Sequence, residues 1–456
     1  MRWIGKSIIN AFKNPAGTLK AFLNRWRHII YRVDQLNLSF DADNLELNRR
    51  PVCISHHEPF LSREGRLKLR GNGTIDQNAV KRILILKLDH IGDVILSLPA
   101  IKMLRHKYSD ARITILAGSW AIPILERVSD IDEIVVLNYF HERSEKWKAP
   151  LDEGVLKDIK HRLSSSGFDM VIDLRRHSGT GEVFGWTDVR YKVAYFTKEN
   201  KRWLTHGLHL SDEMKDTPGQ YIKPHISAQL CELVLALPGK FTAGINPFEI
   251  SPEIFSIECG KEIVERFPRL FGADFRIGIH PGTGNKIRQW PLCHYASLAD
   301  LFVENLGATV AFFGVDNEKD LVEDIISKMR HPEKAISLAG TTSLIDFISI
   351  IRDMKIFIGN VSGPCHIAGL TGVPTLNIFA GQVSSYEWHP LGKKTMAVWL
   401  DVPCAPCYKA LPEQCPYDLK CLKFLWPENV FDAARELLST TGYGGKEKKN
   451  SPPLRI

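Results

Sequence analysis

From Lys81 to about Leu438 the chain alternates short runs of aliphatic and β-branched residues with longer stretches whose apolar positions recur every three or four residues. The short runs fit strands buried on both faces, and the longer stretches fit amphipathic helices. The pattern predicts strands over 82–88, 112–116, 134–137 and 169–173, with helices over 94–106, 156–163 and 226–237. Pro238-Gly239 stops the last helix, and near Asn246-Pro247 and Ser251-Pro252 the periodicity disappears. A second series follows, with strands over 276–280, 309–313, 335–338, 355–358 and 375–379. Its helices are predicted over 292–305, 317–329, 344–353 and 363–370. Alternation of this kind builds a parallel sheet covered by helices on both faces. Two doubly wound α/β domains are therefore expected, over 81–250 and 251–440, with 441–456 as a disordered tail.

Residues 1–80 have a different texture. Before the first acidic residue, Asp34, the chain carries Arg2, Lys6, Lys13, Lys20, Arg25, Arg27 and Arg32, interleaved with Trp3, Phe12, Phe22 and Trp26. The apolar residues recur at helical spacing on either side of Pro15-Ala16-Gly17. Two readings stand: a basic amphipathic helix pair lying on an anionic membrane surface, or apolar faces packed on the protein itself. From Asp34 to about Val80 the chain is polar, with Arg49-Arg50-Pro51 and Gly71-Asn72-Gly73, and reads as mostly loop.

Composition narrows the class. With 456 residues, 44% hydrophobic and 24% charged, the chain has enough apolar residues for two large cores, which excludes wholesale disorder. No window approaches the ~20 apolar residues of a membrane-spanning helix. The formal charge of +7 suits a phosphate-bearing substrate, an anionic membrane surface or nucleic acid, and charge alone does not choose among them; no nucleic-acid partner is expected for the chain as a whole. Five of the nine cysteines, Cys53, Cys231, Cys259, Cys293 and Cys365, share no spacing, which fits a reducing cytoplasm. The other four, Cys404, Cys407, Cys415 and Cys421, are close together in the chain. They could hold a structural zinc, or be a feature of the fold without metal.

In doubly wound sheets ligands bind beyond the carboxyl ends of the strands. The loop Lys87-Leu88-Asp89-His90-Ile91-Gly92-Asp93 leaves the first strand, and Asp93 reads either as a helix N-cap or as a general base. In the second series, His280-Pro281-Gly282-Thr283-Gly284-Asn285-Lys286-Ile287-Arg288 offers glycine-lined amides, the Thr283 hydroxyl and the charges of Lys286 and Arg288 to a phosphate. Ala339-Gly340-Thr341-Thr342-Ser343 places Thr341 near the same edge, with Ser343 opening a capping box. Gly359-Asn360-Val361-Ser362-Gly363-Pro364-Cys365-His366 starts another helix at an exposed N-terminus, with Ser362 as its expected cap. Together these loops describe a cleft between domains for a negatively charged ligand. Asp41-Ala42-Asp43 and Asp130-Ile131-Asp132 are poorly placed to hold a catalytic metal, and no cofactor is expected.

Ile83-Leu84-Ile85-Leu86-Lys87, Ile91-Gly92-Asp93-Val94, Leu98-Pro99-Ala100 and Phe168 to Leu174 carry a resemblance in the first half. His280-Pro281-Gly282, Arg288-Gln289-Trp290-Pro291, Phe313-Gly314 and Ser362-Gly363-Pro364-Cys365-His366 carry it in the second. At these residues the chain resembles glycosyltransferase family 9, the heptosyltransferase family of lipopolysaccharide assembly. The resemblance implies the GT-B architecture, two Rossmann-like domains facing a central cleft, and inverting transfer from a nucleotide-diphosphate sugar. It implies Asp93 as base, and His90, Arg175 and Arg176 on the acceptor side. It places Arg288, where the family has lysine, with Thr283, Lys286, Thr341, Ser362, Gly363 and His366 on the donor. Val361 stands where many members have an aspartate that reads the sugar. A glycolipid acceptor would be met at the inner face of the inner membrane. A sugar-nucleotide epimerase of the same architecture and a non-catalytic membrane-docked scaffold are the other readings; a nicotinamide oxidoreductase lacks its glycine fingerprint in the first strand loop.

Overall fold

The structure of the chain, a computed structural model, describes residues 52–55, 69–71, 73–141, 144–177, 179–210, 223–241 and 246–442. The basic segment before residue 52 and the tail after residue 442 lie outside these, and so do the readings made for them.

The strands are Val52–Ser55 (β1), Arg70–Gly71 (β2), Arg82–Lys87 (β3), Arg112–Ala117 (β4), Glu133–Val136 (β5), Phe140–His141 (β6), Ser144–Lys148 (β7) and Met170–Asp173 (β8). They continue as Tyr191–Tyr195 (β9), His206–Leu208 (β10), Arg276–His280 (β11), Thr309–Phe312 (β12), Ala335–Ser337 (β13), Ile356–Asn360 (β14), Thr375–Phe379 (β15) and Thr395–Leu400 (β16). Apart from the β6–β7 hairpin they form two seven-stranded sheets, in the orders β2-β10-β9-β8-β3-β4-β5 and β1-β16-β15-β14-β11-β12-β13. All neighbours within each sheet are parallel except β2 on β10 and β1 on β16. Counted from β3 and from β11, each parallel set runs third, second, first, fourth, fifth, sixth, which is the Rossmann order. The two switch points, β3 against β8 and β11 against β14, are where such sheets hold ligands.

Central strands here are apolar on both sides because both faces are covered. Ile83 and Ile85 of β3 join one core, Leu84 and Leu86 the opposite one, and all four are fully buried. The core on the Ile83 side continues into the second sheet through Phe357, Cys365 and Ile367. Helix Ile91–Lys107 packs on helix Ile226–Leu235 of its own half and touches helix Gly363–Thr371 of the other. Helix Pro427–Thr440 lies on helix Leu292–Leu306 and the β15 and β16 strands.

The polar stretch from Asp34 to about Val80, expected to be mostly loop, also supplies two short strands: Val52–Ser55 adds an antiparallel strand to β16, with Val52 opposite Leu400, and Arg70–Gly71 does the same at β10. Runs of four and two residues are too short to show a period. Their pairing is decided by partners far along the chain.

Candidate active site

Beyond the ends of β3 and β8 the first sheet gathers the carboxyls of Asp89, Asp93 and Asp173 with the cations of Lys87 and Arg175. Lys87, the last residue of β3, donates from Nζ to Asp89 Oδ2 at 2.6 Å and to the Leu174 carbonyl at 2.9 Å. Arg175 holds the other oxygen of Asp89, and its guanidinium stands 4.9 Å from the Phe140 ring centre. Burial favours the neutral acid, but Arg175 and Lys87 outweigh it and bring Asp89 down to about 2. Asp89 is a fixed anion at neutral pH.

Helix Ile91–Lys107 begins at Ile91 with His90 as its cap residue, so Asp93 is the third helical residue and not the N-cap. It is half-buried. Burial raises its pKa, the Asp89 charge adds to the rise, and Lys87, Arg175 and Arg288 oppose it. A carboxylate raised in this way is a stronger base than an ordinary aspartate. His90 is half-buried beside Trp120, at 6.1 Å between ring centres, and Trp120 Nε1 donates to the Asp89 carbonyl at 2.9 Å.

The second sheet supplies cations and amides. Asn360, at the end of β14, ties two loops together: its Oδ1 accepts from Trp290 N at 3.2 Å and its Nδ2 donates to the Pro281 carbonyl at 2.8 Å. Trp290 is fully buried and donates from Nε1 to the Leu425 carbonyl at 3.0 Å. This anchor places the turn Lys286–Arg288, which Asn285 caps by accepting from Ile287 N. Arg288 is half-buried, Lys286 is exposed, and Thr283 is half-buried with its hydroxyl near Asn285 N at 3.3 Å. Ser362 is the cap residue of helix Gly363–Thr371, as expected, but its hydroxyl donates to the Asn360 carbonyl at 3.1 Å and makes no side-chain cap bond. Gly363, the first helical residue, has an amide that the helix itself does not satisfy. Thr341 is exposed at the edge-strand end, its hydroxyl bonded to the Leu338 carbonyl at 2.9 Å, away from the switch point.

The two halves meet at these loops. A Cβ on Gly363 would fall 2.6 Å from Ile91 Cγ2, so the helix starts are in contact across the cleft. His366 is buried, and burial, with the charges of His225 and Arg288, lowers its pKa to about 3. It is a neutral imidazole at pH 7, and its buried Nδ1 has no hydrogen-bond partner among the described residues, which suits it to meet a ligand.

Arg176, expected on the acceptor side, is placed elsewhere. Its guanidinium is buried against Glu387 of the second half, 2.8 Å from Oε1, and also donates to Gln229 at 3.2 Å. Lys223 stands 3.7 Å from the other Glu387 oxygen, and the Tyr408 hydroxyl donates to it at 3.2 Å. A charge so enclosed joins the halves and does not face a substrate.

Sequence reasoning missed Asp173, Glu318, Gln382 and Glu387. Asp173 ends β8, accepts from the Thr180 hydroxyl, and burial lifts it to about 7. Glu318 accepts from Val315 N at 2.9 Å, with His280 Nε2 at 3.5 Å. Its carboxylate lies at the carboxyl edge of β11 and β12, where it can accept from hydroxyls. Asp173 could have been found from its place at the end of a central strand; the others take their meaning from distant partners. Cys404, Cys407, Cys415 and Cys421 are half-buried neighbours, and burial above all pushes the Cys421 thiol up to about 12. Among the described residues no three His, Cys, Asp or Glu side chains converge as metal ligands. No step below uses a metal.

The sequence model of glycosyltransferase family 9 (heptosyltransferase) matches residues 260–418. The chain is 22% identical over 333 residues to lipooligosaccharide heptosyltransferase 2 of Haemophilus ducreyi, covering 70% of this chain and 88% of that one. Among solved structures it is similar to the family 9 glycosyl transferase from Veillonella parvula, with a TM-score of 0.60, 22% identity, and coverage of 79% and 97%. It is also similar to the E. coli heptosyltransferase WaaC with ADP, with a TM-score of 0.56, 15% identity, and coverage of 78% and 99%. The structural likenesses carry the fold, two Rossmann-like domains in the GT-B arrangement.

Proposed function

We propose, on the premise that the chain is a glycosyltransferase of the heptosyltransferase-like family 9, that it transfers a sugar with inversion from a nucleotide-diphosphate donor to a lipopolysaccharide-type surface glycan. The observation that supports this most is that the helix start bearing Asp93 meets the helix start of Gly363 and His366, a Cβ on Gly92 falling 3.1 Å from the His366 ring, with the Arg288 charge close enough to act on both Asp93 and His366. A base and a phosphate-sized cation thus face one cleft. Asp93 takes the proton of the acceptor hydroxyl as that oxygen bonds to the anomeric carbon. The carbon–oxygen bond to the diphosphate breaks, and the diphosphate leaves with the electron pair. Arg288, Lys286 and the Gly363 amide receive its charge. The other donor-side residues, Thr283, Ser362 and His366, line the same edge, and His90 and Arg175 border the acceptor side.

Val361 is buried with Phe379, Val383, Ala397 and Trp399 in a small apolar cluster. It offers no hydrogen bond to a sugar hydroxyl, so the donor is set by other contacts and can be a hexose as well as a heptose. The same reading places the enzyme in the cytoplasm, attached to the inner membrane face by the basic extension.

The test is a thermal-shift panel of nucleoside diphosphates and their sugars, followed by transfer assays with ADP-heptose and the hits. The WaaC structure with ADP makes ADP the first member of that panel. Donor consumed without acceptor, to give an isomer of the donor sugar, would refute the transferase reading.

A further inference from the structure

The Arg288 side chain is gripped from behind. Its Nε donates to Gln382 Oε1 at 2.8 Å, and the Gln382 amide donates from Nε2 to the Lys409 carbonyl at 3.0 Å. The Lys409 carbonyl can only accept, so it turns the amide NH₂ toward itself and the amide oxygen toward Arg288. Gln382 is buried, and its main chain is pinned on the same side: Tyr408 N donates to the Gln382 carbonyl and Cys407 N to the Gly381 carbonyl, each at 2.9 Å. Five residues on, the same loop carries Glu387, the buried partner of Arg176.

We propose that Gln382 is a positioning residue that holds the Arg288 guanidinium with its two-nitrogen edge toward the donor diphosphate. The inference rests on the phosphate role given to Arg288 above. A guanidinium presents five donors in a rigid plane, and fixing Nε fixes the direction of the terminal pair. A lysine has no donor at that position, so the device works only with arginine. It accompanies the arginine that this chain carries two residues before Trp290-Pro291, where the family pattern has lysine. Because the Gln382 loop also reaches Arg176 of the first half through Glu387, the grip is tied to the juxtaposition of the domains.

The experiment is a double-mutant cycle on the full chain, read by calorimetry with inorganic pyrophosphate, ADP and adenosine. With Arg288 present, Gln382→Leu is expected to weaken pyrophosphate and ADP binding about tenfold and leave adenosine unchanged. With Arg288→Lys in place, the same substitution is expected to change pyrophosphate binding less than about twofold, since no Nε bond remains to lose. Gln382→Glu keeps an acceptor and is expected to retain most of the affinity. Equal losses in both backgrounds, or no loss with Arg288 present, overturn the positioning role. If Arg288→Ala leaves pyrophosphate binding unchanged, or the unmodified protein binds no pyrophosphate, the phosphate reading of Arg288 falls first. Should Gln382→Leu fail to fold, Gln382→Met gives the same comparison.

Discussion

Gly92 and His366 meet across the two sheets: a methyl group placed on Gly92 would stand 3.1 Å from Cδ2 of the His366 ring and 3.4 Å from the Gly363 Cα. Each helix start sits where the other has no side chain. Gly363→Ala, whose new carbon would fall 2.6 Å from Ile91 Cγ2, must push the helices apart. Transfer is expected to fall about a hundredfold, because displacing reacting groups by about 1 Å has that effect. Nucleotide binding to the second half alone should persist, and calorimetry beside a transfer assay separates the two.

Asp93→Asn is expected to reduce the transfer rate by about 10²–10⁴-fold with donor affinity nearly unchanged, since an amide cannot take the acceptor proton. The pH profile carries the sign. Burial and the Asp89 charge raise the Asp93 pKa, so the deprotonated, active form is lost on acidification at a higher pH than for an exposed aspartate. A kcat/KM that stays level down to about pH 4, the ordinary aspartate value, would remove Asp93 from the mechanism.

Arg288→Ala should weaken nucleoside diphosphates about a hundredfold and the bare nucleoside little, if the guanidinium meets the phosphates as proposed. Equal losses for both, measured by calorimetry, would contradict a phosphate role.

Acid should loosen the contact between the halves. Burial lowers His225 to about 4 and His366 to about 3, both below the usual histidine value of 6.5. Histidines held neutral on folding contribute stability that is fully present above pH 6.5 and is lost as pH falls toward those values. His225 Nε2 contacts the His389 carbonyl at 2.7 Å, and His366 lies against Gly92, so both sit at the junction. The melting temperature is expected to drop between pH 6.5 and 4, and less steeply in a His225→Gln, His366→Gln double variant. Parallel curves for the two proteins would assign the acid sensitivity to other groups.

The alternation of β-rich and amphipathic stretches made most of the two sheets legible, and β11 and β15 have the boundaries that the pattern predicts. The placement of Asp93 and Arg288 in loops at the carboxyl edges of the sheets was legible for the same reason: both follow a predicted strand. Arg176 was not. It is adjacent to Arg175 and chemically identical to it, yet one pairs with Asp89 inside its own half and the other with Glu387 in the opposite half. Only the packing of the domains distinguishes them. Val52–Ser55 and Gln382 escaped similarly, since a four-residue strand and a lone glutamine have no local signature.

For the extension, co-sedimentation with anionic and neutral vesicles tests attachment. Several Lys and Arg residues near anionic lipid contribute on the order of 1 kcal/mol each. The full chain is expected to sediment with anionic vesicles and to be weakened by salt, whereas a chain lacking residues 1–50 should stay in solution. That cut leaves β1 intact. Equal sedimentation of both would reassign the basic segment to packing on the protein.

The β1 strand has a second consequence. It covers β16, whose residues Thr-Met-Ala-Val-Trp-Leu are all buried, uncharged and free of proline. Such a run on a bare sheet edge invites pairing with other copies of itself. Val52–Ser55 therefore guards that edge, and a chain shortened beyond Ser55 would trade a capped sheet for a self-templating edge.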